Sequence, residues 1–165
     1  MRVLGIDCGS RITGYGIVEA DGRNYGLVEC GAIRIEPSQP LASRLKSIHE
    51  ALVQVIQTHK PDVVAFEGIF HAINVQSALK LGHVRGVSMF AAAQANLPVF
   101  EYSPLEVKSA VTGYGRAEKA QVQEMVRSLL RLKTLPGPFD ASDALAVAIC
   151  HIHHDGFRKA TAPRP

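Results

Sequence analysis

The stretch VLGIDCG, residues 3–9, decides how the rest of the chain is read. Four apolar or small residues run into Asp7, and Gly9 follows two positions later, which is the pattern of a short buried strand that ends on an acid where the backbone turns. Working outward, Gly14 to Ala20 and Asn24 to Ile35 are two further strands, and Asp21-Gly22 between them marks a hairpin turn. From Leu41 to His59 the residues Leu41, Leu45, Ile48, Leu52, Val55 and Ile56 recur every three or four positions, so this segment is an amphipathic helix that Pro61 ends. Val63 to Phe66 is a fourth buried strand, and it stops at Glu67-Gly68 as the first stops at Asp7. Val75 to Ala95 is a long helix, Val99 to Tyr102 a fifth strand, and Ser103-Pro104-Leu105-Glu106 opens a helix with a capping residue, a proline at the first helical position and an acid placed to close a capping box. Ala117 to Leu132 and Asp140 to His153 complete the helices, on either side of the breaker Pro136-Gly137-Pro138.

Three strands joined by short turns, then helix, strand, helix, strand and further helices, give an α/β domain with a five-stranded mixed sheet and helices on both faces. In such sheets the functional crevice lies at the carboxyl ends of parallel strands where the strand order reverses. A chain of 165 residues, 47% hydrophobic and 20% charged, has room for one such domain and is neither disordered nor a disulfide mini-protein. The reading is a single domain over residues 1–156 and a disordered tail over residues 157–165. Cys8, Cys30 and Cys150 form no C-x-x-C and read as ordinary small apolar side chains of a reducing compartment. The start reaches an acid too early for a signal-peptide core, and no apolar run has membrane-spanning length, so the expected location is the cytoplasm, with no membrane partner.

Asp7 and Glu67 each close an apolar strand. Asp140 and Asp143 are three apart on one face of a helix that continues as A-L-A-V-A-I-C and must be buried. Each acid taken alone reads equally as a solvated strand end or as a favourable charge at a helix N-terminus. Taken together, four carboxylates in one small volume would repel or protonate unless cations join them. Hard oxygen donors suit magnesium or manganese, and two such ions about 4 Å apart can drive phosphodiester hydrolysis.

The motifs G-I-D-C-G-S-R-I-T-G-Y-G, F-E-G-I-F, S-A-L-K-L-G-H-V-R-G-V, E-Y-S-P-L-E-V-K, A-E-K-A-Q-V-Q-E-M-V and D-A-S-D-A-L-A-V-A-I, in that order over residues 1–156, resemble those of the RuvC family of Holliday junction endonucleases. The resemblance implies a ribonuclease H-like fold, a homodimer, four-way junction DNA as substrate, and paired nicks that depend on two Mg2+ ions per site, with Mn2+ as a substitute. It implies Asp7, Glu67, Asp140 and Asp143 as the catalytic, metal-binding acids, and the branch-migration proteins RuvA and RuvB as partners. It further implies that Lys108 and Lys119 hold scissile-strand phosphates and that Phe70 stacks on a base at the crossover. The sequence departs from the family pattern at Ile73, where relatives often carry lysine, and at Cys8, where proline is more usual.

The net charge of +3 does not by itself demand an anionic partner, but its distribution is uneven. Between residues 71 and 133, eight cations (Lys80, Arg85, Lys108, Arg116, Lys119, Arg127, Arg131 and Lys133) face four acids. Lys80, Arg85 and Arg116 join Lys108 and Lys119 as candidate DNA contacts, against the alternative of solvated helix faces. His151, His153 and His154 have no cysteines nearby and read as surface or helix-end residues rather than a zinc site. Three other functions remain to be weighed. A nucleotide-phosphate loop of the actin-like ATPase kind needs two such domains, and the chain has room for one. A non-catalytic junction-binding module would have lost a carboxylate, whereas all four are present. Another nuclease of the same fold is the third.

Overall fold

β1 (Arg2–Asp7) is the middle strand of a five-stranded sheet, in a computed structural model that describes residues 1–22, 24–68, 75–135 and 137–161. β2 (Ile12–Asp21) and β3 (Asn24–Arg34) lie antiparallel on one side of it, joined where Asp21 pairs with Asn24 and Gly22 takes φ 58°. The left-handed conformation at Gly22 is one that glycine adopts without a Cβ penalty, as a tight hairpin requires. On the other side β4 (Val63–Glu67) pairs parallel with β1, and β5 (Val99–Tyr102) parallel with β4. The order therefore reverses between β1 and β4, and the register Ile6↔Phe66 sets the ends of those two strands, Asp7 and Glu67, side by side.

Alternation along these strands fills two separate cores. Leu4, Ile6, Val64 and Phe66 pack with Ile48, Leu52 and Ile56 of α1 (Leu41–His59) and Val84, Ala91 and Ala92 of α2 (Val75–Gln94). The spacing of four between the α1 residues is the inward stripe expected from its periodicity. Val3, Val63 and Ala65 point the other way, into a core shared with α3 (Pro104–Thr112), α4 (Lys119–Leu129) and α5 (Phe139–Thr161). Since side chains alternate with period two, Asp7 and Glu67 belong to the same face as Val3, Val63 and Ala65.

On that face α5 meets the sheet backbone directly at two glycines. A Cβ on Gly5 would sit 2.0 Å from the Ala144 carbonyl oxygen, and one on Gly14 2.1 Å from that of Asp140. Gly14 is also the residue paired across from Asp7. The first turn of α5 is thus seated directly over the end of β1.

Local signals place the remaining elements. The capping box at α3 forms as the sequence indicates, with Ser103 accepting from the Glu106 N–H and Glu106 accepting from the Ser103 N–H. α4 begins with a second capping box between Glu118 and Gln121, which fixes Lys119 as its first helical residue. α5 runs to Thr161, into the segment expected to be a disordered tail; Gly156 weakens a helix but does not stop one, and the next proline is Pro163. His151 is a core residue, 4% exposed, with Nδ1 2.8 Å from the Tyr102 hydroxyl, and His153 Nδ1 lies 2.7 Å from the Ala110 carbonyl oxygen. These two histidines are not the surface or helix-end residues of the sequence reading; they fasten α5 to β5 and α3. Cys8, Cys30 and Cys150 are free thiols, and burial pushes those of Cys8 and Cys150 up to about 11 and about 12. Among the described residues no helix is long and apolar enough to cross a membrane.

Candidate active site

Three elements contribute the four acids. β1 and β4 deliver Asp7 and Glu67 at adjacent carboxyl-terminal ends, and the first turns of α5 deliver Asp140 and Asp143. The helix N-terminus, with its unpaired N–H groups, supports negative charge there. Burial pushes the Asp7 carboxyl up to about 7, and repulsion from Glu67, Asp143 and Asp140 adds to the effect. Glu67 is raised as well, chiefly by burial and then by Asp143. The acids that the sequence suggested as a cluster therefore sense one another in the fold.

Two lysines answer this charge. Lys119 Nζ lies 2.5 Å from Asp143 Oδ2, and its charge also pulls Asp7 and Glu67 downward. Lys108, on α3, does the same for Glu67. Glu67, Lys108, Lys119 and Asp143 line one cleft, floored by Val107, Val122 and Ala146. Among the described residues no three Asp, Glu, His or Cys side chains are gathered closely enough to close around one ion, and Asp143 is turned to Lys119. In chemistry the donor set still fits a hard divalent cation: it is all carboxylate oxygen, and it holds Asp7 at a pKa that an added positive charge would relieve.

The other candidate DNA contacts fall into three groups. Lys80 on α2 and Arg116, after the Gly113-Tyr114-Gly115 turn, are exposed and reach solvent. Arg85, also expected as a phosphate contact, is turned inward. Its side chain is 11% exposed, it donates to the Glu67 carbonyl oxygen, it pairs with Glu101 at 2.8 Å, and its guanidinium lies 5.5 Å from the centre of the Phe66 ring. A charge so buried is held by its partners. It clamps the end of β4 and so positions Glu67, a role that a count of cations along the chain does not reveal. Phe70 and Ile73 lie outside the described residues.

A central β1 with antiparallel strands on one side, parallel strands on the other, and acids from β1, β4 and α5 at the switch point defines a ribonuclease H-like protein of the junction-resolvase class. The family model for "Crossover junction endodeoxyribonuclease RuvC" matches residues 3–151. The protein of that name from Syntrophotalea carbinolica is 58% identical over 93% of this chain and 94% of its own length, and that from Pelotomaculum thermopropionicum is 54% identical over 93% and 94%. The solved structure of Thermus thermophilus RuvC in complex with Holliday junction substrate superimposes with a TM-score of 0.89 at 32% identity, covering 95% of this chain and 96% of that one. The chain belongs to the RuvC family of crossover junction endodeoxyribonucleases.

Proposed function

We propose that this protein resolves four-way DNA junctions by paired, divalent-metal-dependent cuts, with Asp7, Glu67, Asp140 and Asp143 as its catalytic acids. The observation that carries the reading is that the Ile6↔Phe66 register brings the β1 and β4 ends, Asp7 and Glu67, together beneath the start of α5, in a chain that belongs to a family of junction endonucleases. Asp7 and Glu67 from the sheet side, and Asp140 and Asp143 from the helix side, would hold two Mg2+ ions, or Mn2+ in their place, which would supply Lewis-acid activation of water for phosphodiester hydrolysis. Lys108 and Lys119 compensate charge that builds on the phosphate oxygens in the transition state. Lys80 and Arg116 anchor more distant phosphates, which makes binding strongly salt-dependent, and Phe70 stacks on a base at the crossover.

Homodimer formation brings two such sites to the two matching strands of a junction. The outer side of α2 supports it: Leu79 and Phe90 are each 59% exposed and Val75 is 78% exposed, while Gly82 and Gly86 carry no neighbouring atoms where a Cβ would stand. Apolar side chains interleaved with glycines four apart suit close approach of a second helix. Site of action in the cytoplasm and interplay with RuvA and RuvB complete the proposal.

The test compares a synthetic four-way junction with a linear duplex of the same sequence, with and without Mg2+. Symmetric nicks in the junction alone, only with Mg2+, are expected. Equal cutting of the duplex would favour a different nuclease of this fold, and binding without any cutting would favour a non-catalytic module.

A further inference from the structure

Asp143 is required to face a metal ion, yet it already faces a cation that the chain itself supplies. Lys119 Nζ sits 2.5 Å from its Oδ2, from an anchor at the first residue of α4, an element separate from the acid's own helix. The influence of this ammonium extends past the direct contact. It offsets repulsion at Asp7 and Glu67, while Asp7 and Asp140 in turn favour its charged form. One lysine thus faces acids from β1, β4 and α5. Its side chain is 62% exposed, and an ammonium on a four-carbon stem can leave such a pairing at small cost.

We propose that Lys119 is an exchangeable counter-ion of the acid cluster: it occupies Asp143 while no divalent ion is bound, and an entering ion expels it, which frees its ammonium for a DNA phosphate oxygen. The inference rests on the divalent-ion reading above. Two cations that share one carboxylate oppose each other's binding, and such coupling is reciprocal. Metal loading and phosphate capture by Lys119 then become a single event, and the lysine acts as a positioning residue before it acts on the substrate. A lysine whose only task is to touch DNA leaves metal affinity unchanged when DNA is absent.

The test is Mn2+ binding to the full chain without DNA, followed by electron paramagnetic resonance of the free ion, for the wild type, Lys119→Met, Lys119→Arg, Asp143→Asn and Asp7→Asn. Lys119→Met is expected to bind Mn2+ about tenfold more tightly than wild type, within the usual range of coupling between sites. Lys119→Arg should stay near wild type and Asp143→Asn should bind more weakly. Equal or weaker binding by Lys119→Met, with Asp143→Asn still impaired, overturns the counter-ion role and leaves the metal reading standing. Wild-type binding that neither Asp143→Asn nor Asp7→Asn weakens overturns the metal reading and the inference with it. Should Lys119→Met fold poorly, Lys119→Gln provides the same comparison through the rise in melting temperature on Mn2+ addition, which must exceed that of wild type.

Discussion

Toward α1 and α2, the central strands present Leu4, Ile6, Val64 and Phe66, all buried and all large; toward α5, the same strands present Val3, Gly5, Asp7, Val63, Ala65 and Glu67. The first face is built for burial alone, and its contacts yield the transfer free energy of ordinary aliphatic and aromatic side chains. The second gives up side-chain volume at Gly5 and Gly14 so that a helix backbone can settle onto the strands, and it ends in two acids. One sheet therefore confines its two acids to a single face by nothing more than the alternation of its residues.

Breaking the α5 face should cost activity first. Asp7→Asn is expected to lower junction cleavage at least about 1,000-fold, while junction binding in a gel-shift assay stays near wild type. Retained cleavage would remove Asp7 from the site. Gly14→Ala should damage both stability and activity: its Cβ would meet the Asp140 carbonyl oxygen at 2.1 Å, with an expected loss of about 3 kcal/mol in urea unfolding and a further loss of cleavage as the start of α5 shifts.

Acidity separates the faces next. The folded Asp7 carboxyl, at about 7, lies above its ordinary value near 3.8, so between those values the folded chain holds a proton that the unfolded chain has lost. The metal-free protein is accordingly most stable below about pH 4 with respect to this group, and loses that contribution as pH rises through about 7. Asp7→Asn should flatten this dependence and exceed wild-type stability at pH 8 in a chelator by about 2–4 kcal/mol. Metal loading must displace the same proton, so Mn2+ affinity should weaken as pH falls below about 7. Ile17→Val, in the core against α1 and α2, is the control with the smallest effect: about 1 kcal/mol of stability and no change in cleavage.

Most of this division was legible in the residues. The apolar runs that stop at Asp7 and Glu67, the pair Asp140 and Asp143 at the head of a buried helix, and the capping box at Ser103 are local patterns, and local patterns survive folding. Parity along a strand is equally local, and it predicts that two acids at strand ends can share a face. What the chain order hides is what meets across it. Gly5 and Gly14 read as ordinary strand residues until α5 is seen lying on them. Arg85 reads as one more cation on a basic segment, because nothing near it in sequence announces Glu101 or the Glu67 carbonyl as its partners. The ion pair between Lys119 and Asp143 joins residues 24 apart, and neither motif alone contains it. His151 and His153 look like a solvated helix end because the apolar pattern around them breaks, whereas their ring nitrogens are committed to Tyr102 and Ala110.

The seating of α5 on bare backbone also limits how the enzyme can vary. Where two elements meet through interlocking side chains, a change in one can be absorbed by the other, and the gap between them is adjustable over generations. Peptide resting on peptide has no such play. The distance from the end of β1 to the head of α5 is fixed by the thickness of the main chain itself, so diversity in how different relatives grip DNA has to arise in the loops and outer helices around a mount that cannot be re-cut.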